Sequence, residues 1–185
     1  MATQTNVVTP ERYAKGLSYK DWLSKLDINA DKFDKNYQEF QLKPEDAKFF
    51  ADAAKKPNGP AKILVLAEGW CPDVIRGLPA VAKLSEAAGI ELKILFRDQN
   101  LDIMYQFLLK GEFQAIPAVI FYTKDLKYIC HWLERPDSTN AEYAEVRAKM
   151  GADRSKFGEL TLPRWEHYRQ ESIKEMKELI SKNVA

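Results

Sequence analysis

Cysteine and histidine are scarce, two of each in 185 residues. Cys71 and Cys130 cannot build a disulfide framework, and neither His131 nor His167 lies near a cysteine pair that would complete a zinc site. An excess of one charge is lacking too, since 28 basic side chains meet 27 acidic ones. No global field therefore favours nucleic acid or an anionic membrane. No apolar run approaches the roughly 18 residues of a membrane span, and the stretch from Met1 to Asn6 has neither the charged nor the apolar part of a secretory signal. The expected setting is the cytoplasm, with no nucleic-acid and no membrane partner.

What is present is ordinary globular material, 45% hydrophobic and 30% charged, at a length that suits one core with elaborations. Residues 1–60 read as a helical extension. Thr9 caps a helix that Pro10 opens, Ser18 to Asp21 resembles a capping box, and Pro44 opens a further helix along Ala47, Phe50, Ala51 and Ala54. The aromatics of this segment, Trp22 and Phe33 among them, are expected to pack on the rest of the chain. From Ala61 strands and helices alternate. Ile63 to Ala67 is a short apolar run of the kind buried on both faces of a sheet, and Pro72 to Ala88 is the next helix, with Pro79 predicting a kink and Gly89 a stop. Ile90 to Phe96 is a second strand, parallel to the first, and Asn100 to Lys110 a helix with Leu101, Met104, Tyr105 and Leu108 as its inner stripe. Residues 118–122 and 128–133 form an antiparallel hairpin. Residues 137–185 return to helix, one capped by Ser138 and running to about Met150, one from Pro163 to about Lys182. The fold class is α/β, a mixed central sheet with helices before, within and after it.

The chemistry concentrates in Trp70-Cys71-Pro72-Asp73-Val74, where the first strand turns into a helix. The first N–H groups of a helix lack internal partners and its dipole is positive there, so a thiolate is favoured. Cys71 is the nucleophile candidate, expected to titrate below the ~8.5 of a free thiol. Arg76 and Arg97 are placed to add positive potential, and Asp73 opposes it. Asp73 suits either of two roles, a proton acceptor in exchange or a carboxylate set against the helix dipole. Trp70 is expected to shield the sulfur and contact partners. Position 74 is valine, so no second cysteine completes a dithiol pair. Cys130 belongs in the core: a hairpin centred near Asp125 pairs it near residue 120, roughly 10 Å along the strand from Pro117, beyond the ~7 Å that a disulfide spans.

A buried strand ending in Trp70-Cys71-Pro72, a proline-bearing helix, a β-α unit and Ile116-Pro117 opening a hairpin resemble a thioredoxin fold over residues 61–136. Glu68-Gly69-Trp70-Cys71-x-Asp73, Leu78-Pro79, Ile94-Leu95-x-Arg97-Asp98-x-Asn100, Trp132-x-x-Arg135-Pro136 and Trp165-x-x-Tyr168 are similar to the pattern of a bacterial thioredoxin-like subgroup. That subgroup has a single active-site cysteine and helical N- and C-terminal extensions, here residues 1–60 and 137–185. The resemblance implies a cis bond at Pro117 beside Cys71, with the Ile116 backbone pairing to a peptide or a glutathione-like thiol. The candidate site is then Cys71 and, if it takes the proton-accepting role, Asp73 as catalytic residues, with Trp70, Pro72, Arg97, Ile116 and Pro117 as the substrate surface. The resemblance implies no metal and no resident cofactor, glutathione or another low-molecular-weight thiol serving as co-substrate, and protein or small-molecule disulfides as partners. Two positions depart from an ordinary thioredoxin: Val74 stands where the resolving cysteine would be, and Val65 where a buried carboxylate would be.

Two readings follow. In one the chain is a monothiol thiol-disulfide oxidoreductase, with an external thiol resolving the mixed disulfide on Cys71. In the other it is a non-catalytic module that holds another protein.

Overall fold

The computed structural model describes residues 7–150 and 156–184. Helices α1 (Pro10–Ala14), α2 (Tyr19–Leu23), α3 (Ala30–Glu39) and α4 (Pro44–Ala54) come first. Their starts follow the side chains: the Thr9 hydroxyl accepts from the Arg12 N–H at 3.2 Å, and Ser18 accepts from the Asp21 N–H at 3.1 Å. Strand β1 (Lys62–Ala67), helix α5 (Pro72–Ala88) and strand β2 (Glu91–Phe96) form a β-α-β unit. A short helix α6 (Leu101–Met104) precedes the hairpin of β3 (Ala118–Tyr122) and β4 (Tyr128–Leu133). Helices α7 (Asn140–Met150), α8 (Phe157–Thr161) and α9 (Trp165–Asn183) close the chain.

The sheet runs in the order β2-β1-β3-β4, with β1 and β2 parallel and the other pairs antiparallel. Leu64, Val65 and Leu66 of the central β1 are wholly buried, which is why that run lacks polar alternation. The β2 edge is not left open. Leu17 and Ile94 exchange backbone hydrogen bonds of 2.9 Å, so the segment between α1 and α2 pairs with it. Trp22, Phe33 and Phe50 of the N-terminal helices, and Phe40 just after α3, are all fully buried in the same core as the sheet.

Helix α5 runs unbroken through Pro79 and ends at Gly89, whose φ of 67° is the left-handed conformation that glycine adopts without strain. Pro79 has no N–H to give the Ile75 carbonyl. The Asn36 side-chain amide donates to that carbonyl instead at 3.1 Å, and the Asn36 oxygen accepts from Arg169 at 2.9 Å. One buried side chain thereby ties α3, α5 and α9 together. On the other side of α9, Glu175 accepts from the Trp132 indole at 2.9 Å and from the Asp137 N–H at 2.7 Å.

Three local expectations are corrected. The helix read over Asn100 to Lys110 stops at Met104; a turn at Tyr105 and Gln106 follows, and beyond it Lys110 and Gly111, at φ 55° and 75°, close a bridge between Leu109 and Phe113. Its buried side chains are Ile103, Met104 and, beyond it, Phe107, while Leu101 and Tyr105 are exposed. Ser138 does not cap α7: residues 137–139 form a 3-10 turn, and the Ser138 hydroxyl donates to Glu171. Pro163 likewise sits in a 3-10 turn, and α9 begins at Trp165. Among the described residues no helix is long and apolar enough to cross a membrane.

Candidate functional site

The loop from β1 to α5 carries the site. Its backbone is held from outside by the Asn29 amide, which donates to the Gly69 carbonyl at 3.0 Å, and from inside by the Cys71 N–H, which donates to the Glu68 carbonyl at 3.2 Å. Cys71 is the N-cap residue of α5, and its carbonyl accepts the first helical bond from the Ile75 N–H at 3.0 Å. The thiol donates to the Ile116 carbonyl at 3.6 Å, and the Ile116–Pro117 bond is cis, as the resemblance implied. Two distant segments thus meet at the sulfur. Cys71 is only 7% exposed, Pro72 and Trp70 are exposed, and Ile116 is buried.

Cys71 and Cys130 are both free thiols. Cys130 pairs with Phe121, one residue further along β3 from Pro117 than the hairpin spacing predicted, and burial pushes its thiol up to about 12. It is a core residue. His131 pairs through Nδ1 with the Tyr128 hydroxyl at 2.6 Å, and burial lowers its pKa. Among the described residues no three His, Cys, Asp or Glu side chains gather as a metal site.

The electrostatics of Cys71 differ from expectation. Burial pushes the thiol above its ordinary value, and Asp73 adds to the rise; the amides of Val74 and Asp73 and the Arg76 guanidinium pull the other way. Desolvation of the charged form outweighs the helix start, so the sulfur is protonated over a wider pH range than a free thiol. Arg97 is turned elsewhere. Its guanidinium lies 5.5 Å over the Trp70 ring, pairs with Asp98 at 2.6 Å and donates to the Gln114 carbonyl at 3.2 Å, so it supports the exposed indole.

Beneath the sulfur lies a charged cluster. The Asp73 carboxylate pairs with Arg76 through one oxygen and with Arg135 through the other, the latter at 3.2 Å. Arg76, 3% exposed, lies over the rings of Tyr143 at 4.9 Å, Tyr168 at 5.1 Å and Trp165 at 5.9 Å, and Arg135 lies over Tyr143 at 4.8 Å. Burial drives Asp73 up to about 7 against the pull of Arg135, and drives Arg76 down to about 10. Glu68 is a buried carboxylate nearby. It accepts from the Asp98 N–H at 2.8 Å, which fixes the end of β2 beside Trp70, and burial raises its pKa.

Cys71, Asp73, Trp70, Pro72, Ile116 and Pro117 therefore share one locus, with Arg97 behind the indole. Sequence reasoning missed Tyr143 and the convergence of Arg135 on Asp73. One signal for the cluster was available: Arg76 is the only charged side chain in the run from Val74 to Ala82, and a cation in an apolar helix face calls for a buried partner.

A family model described as Thioredoxin matches residues 16–147. No curated protein matches. Among solved structures, the protein of unknown function PA1234 from Pseudomonas aeruginosa is 18% identical, with a TM-score of 0.70 over 95% of this chain and 98% of that one. An HIV epitope-scaffold is 19% identical, with a TM-score of 0.67 over 93% of this chain and 96% of its own. These likenesses concern the fold, including the helices before and after the sheet.

Proposed function

This chain belongs to the thioredoxin family, and from that premise we propose that Cys71 is the exchanging thiol of a monothiol thiol-disulfide oxidoreductase. The observation that carries the reading is the placement of the Cys71 sulfur, at the start of α5 and 3.6 Å from the Ile116 carbonyl, beside the exposed Trp70. An extended substrate laid along Ile116 finds a backbone carbonyl to pair with and an indole to rest on. The Cys71 thiolate attacks one sulfur of a substrate disulfide, forming a mixed disulfide and releasing the other sulfur as thiolate. Val74 offers no second thiol, so an external thiol such as glutathione attacks the mixed disulfide and sets Cys71 free. The net result is an exchange: Cys71 returns as a thiol, one substrate sulfur leaves as a thiol and the other is left in a disulfide with the external thiol, which a second external thiol reduces.

With its pKa raised, Cys71 holds little thiolate at neutral pH, so exchange accelerates as pH rises. Incubation with oxidised glutathione at pH 7 to 9.5, followed by peptide mass spectrometry, tests this. A glutathione adduct is expected on the Cys71 peptide, forming faster at higher pH and absent from Cys71→Ser. An unmodified Cys71 peptide across that range overturns the reading. The burial of the sulfur favours a second reading, a non-catalytic module that holds another protein through the surface around Trp70 and Pro72. On that reading Cys71→Ser keeps its partners.

A further inference from the structure

The charged cluster beneath the sulfur reaches into parts of the chain that never touch it. Asp73 and Arg76 belong to α5, Arg135 follows β4, Tyr143 belongs to α7, and Trp165 and Tyr168 belong to α9. Tyr143 contacts both guanidiniums, at 4.9 and 4.8 Å, and both guanidiniums grip the one carboxylate that lies two residues from Cys71. A buried arginine is costly unless its planar face and its donors are all occupied. Here rings occupy the face and Asp73 occupies donors, so the cation is confined to one place.

We propose that α7 and α9 tune the active-site thiol, their rings clamping Arg76 and Arg135 onto Asp73 and so fixing the field at Cys71. Arg76 and Tyr143 are positioning residues in this scheme. The groups that face the sulfur or its cluster are Asp73 and Arg76 on α5, Glu134 and Arg135 after β4, Arg147 on α7, and Tyr168 and Arg169 on α9. Of these, Arg76 favours the thiolate and Asp73 opposes it. A C-terminal segment outside the sheet thereby sets how readily the thiol reacts. The inference rests on Cys71 being the exchanging thiol, but its readout is ionisation alone and requires no disulfide substrate.

The test is iodoacetamide alkylation of the full-length protein between pH 6 and 11, with the Cys71 and Cys130 peptides followed separately. Arg76→Gln is expected to raise the Cys71 midpoint by about 0.5–1 pH unit, which is roughly three- to tenfold slower labelling at any pH below it. Tyr143→Leu is expected to move the midpoint the same way, and Tyr143→Phe, which keeps the ring, to leave it in place. Loss of the fold gives the opposite signature: the Cys71 midpoint falls toward that of a free thiol and Cys130 labels with it. A variant showing that signature is replaced in the comparison by Asp73→Asn, for which the clamp predicts a lowered Cys71 midpoint with Cys130 still protected. An unmoved midpoint in Arg76→Gln, or equal midpoints for Tyr143→Leu and Tyr143→Phe with Cys130 protected, overturns the proposal, whatever glutathione does at Cys71.

Discussion

At the scale of single residues, the decisive pair is Cys71 and Asp73, and burial governs both. A helix start favours a thiolate, yet a sulfur that is 7% exposed loses more from desolvation than it gains there. Asp73 is half-buried between two cations and still rises to about 7. Between its ordinary value of 3.8 and about 7 the folded protein binds a proton that the unfolded chain releases. The contribution of the protonated Asp73 to stability is thus complete below the unfolded value and is lost as pH rises through about 7. Urea unfolding of the wild type and Asp73→Asn checks the sign: the wild type should lose stability relative to the variant as pH rises from 4 to 8. A stability difference that is constant over that range contradicts it.

At the scale of elements, Pro79 and Asn36 show how the added helices hold α5. Proline leaves the Ile75 carbonyl without its helical donor, and Asn36 supplies one while accepting from Arg169. Removing that side chain leaves the buried Ile75 carbonyl and the Nη1 of Arg169 without partners, while Glu166 still holds the rest of that guanidinium. Asn36→Ala is expected to cost about 2–4 kcal/mol in chemical denaturation, and a loss below ~0.5 kcal/mol would show the triad to be incidental. Elements were legible in the sequence where one physical signal dominated. Pro72 and Gly89 bracket α5 at its observed ends, and the bounds of β3 and β4 follow from the apolar runs on either side of Thr123 to Lys127. They were illegible where a turn decided the matter. The stripe anchored on Leu101 had a helical period, but the positive φ at Lys110 and Gly111 and the bridge from Leu109 to Phe113 are local turn geometry that no helical period encodes. The site shows the same division: local geometry placed Cys71 on a helix start, whereas its desolvation depends on Ile116, and the cluster below it on α7 and α9, all far along the chain.

At the scale of the whole molecule, a thioredoxin-like α/β fold is extended at both ends, and both extensions bear on one loop. Asn29, ahead of α3, anchors the Gly69 carbonyl, and rings from α7 and α9 enclose Arg76. The additions are built into the same core as the sheet, through Trp22, Phe33, Met176 and Ile180. On this account the extensions hold Cys71 in a desolvated, charge-balanced setting beside the exposed Trp70 and the buried Ile116. The most direct test is disulfide trapping in lysate with full-length protein, comparing wild type, Cys71→Ser and Cys130→Ser by mass spectrometry of non-reduced species. Partners linked in wild type and Cys130→Ser but missing from Cys71→Ser are predicted; linked species that persist in Cys71→Ser, or none in any of the three, would contradict the central claim that Cys71 exchanges disulfides.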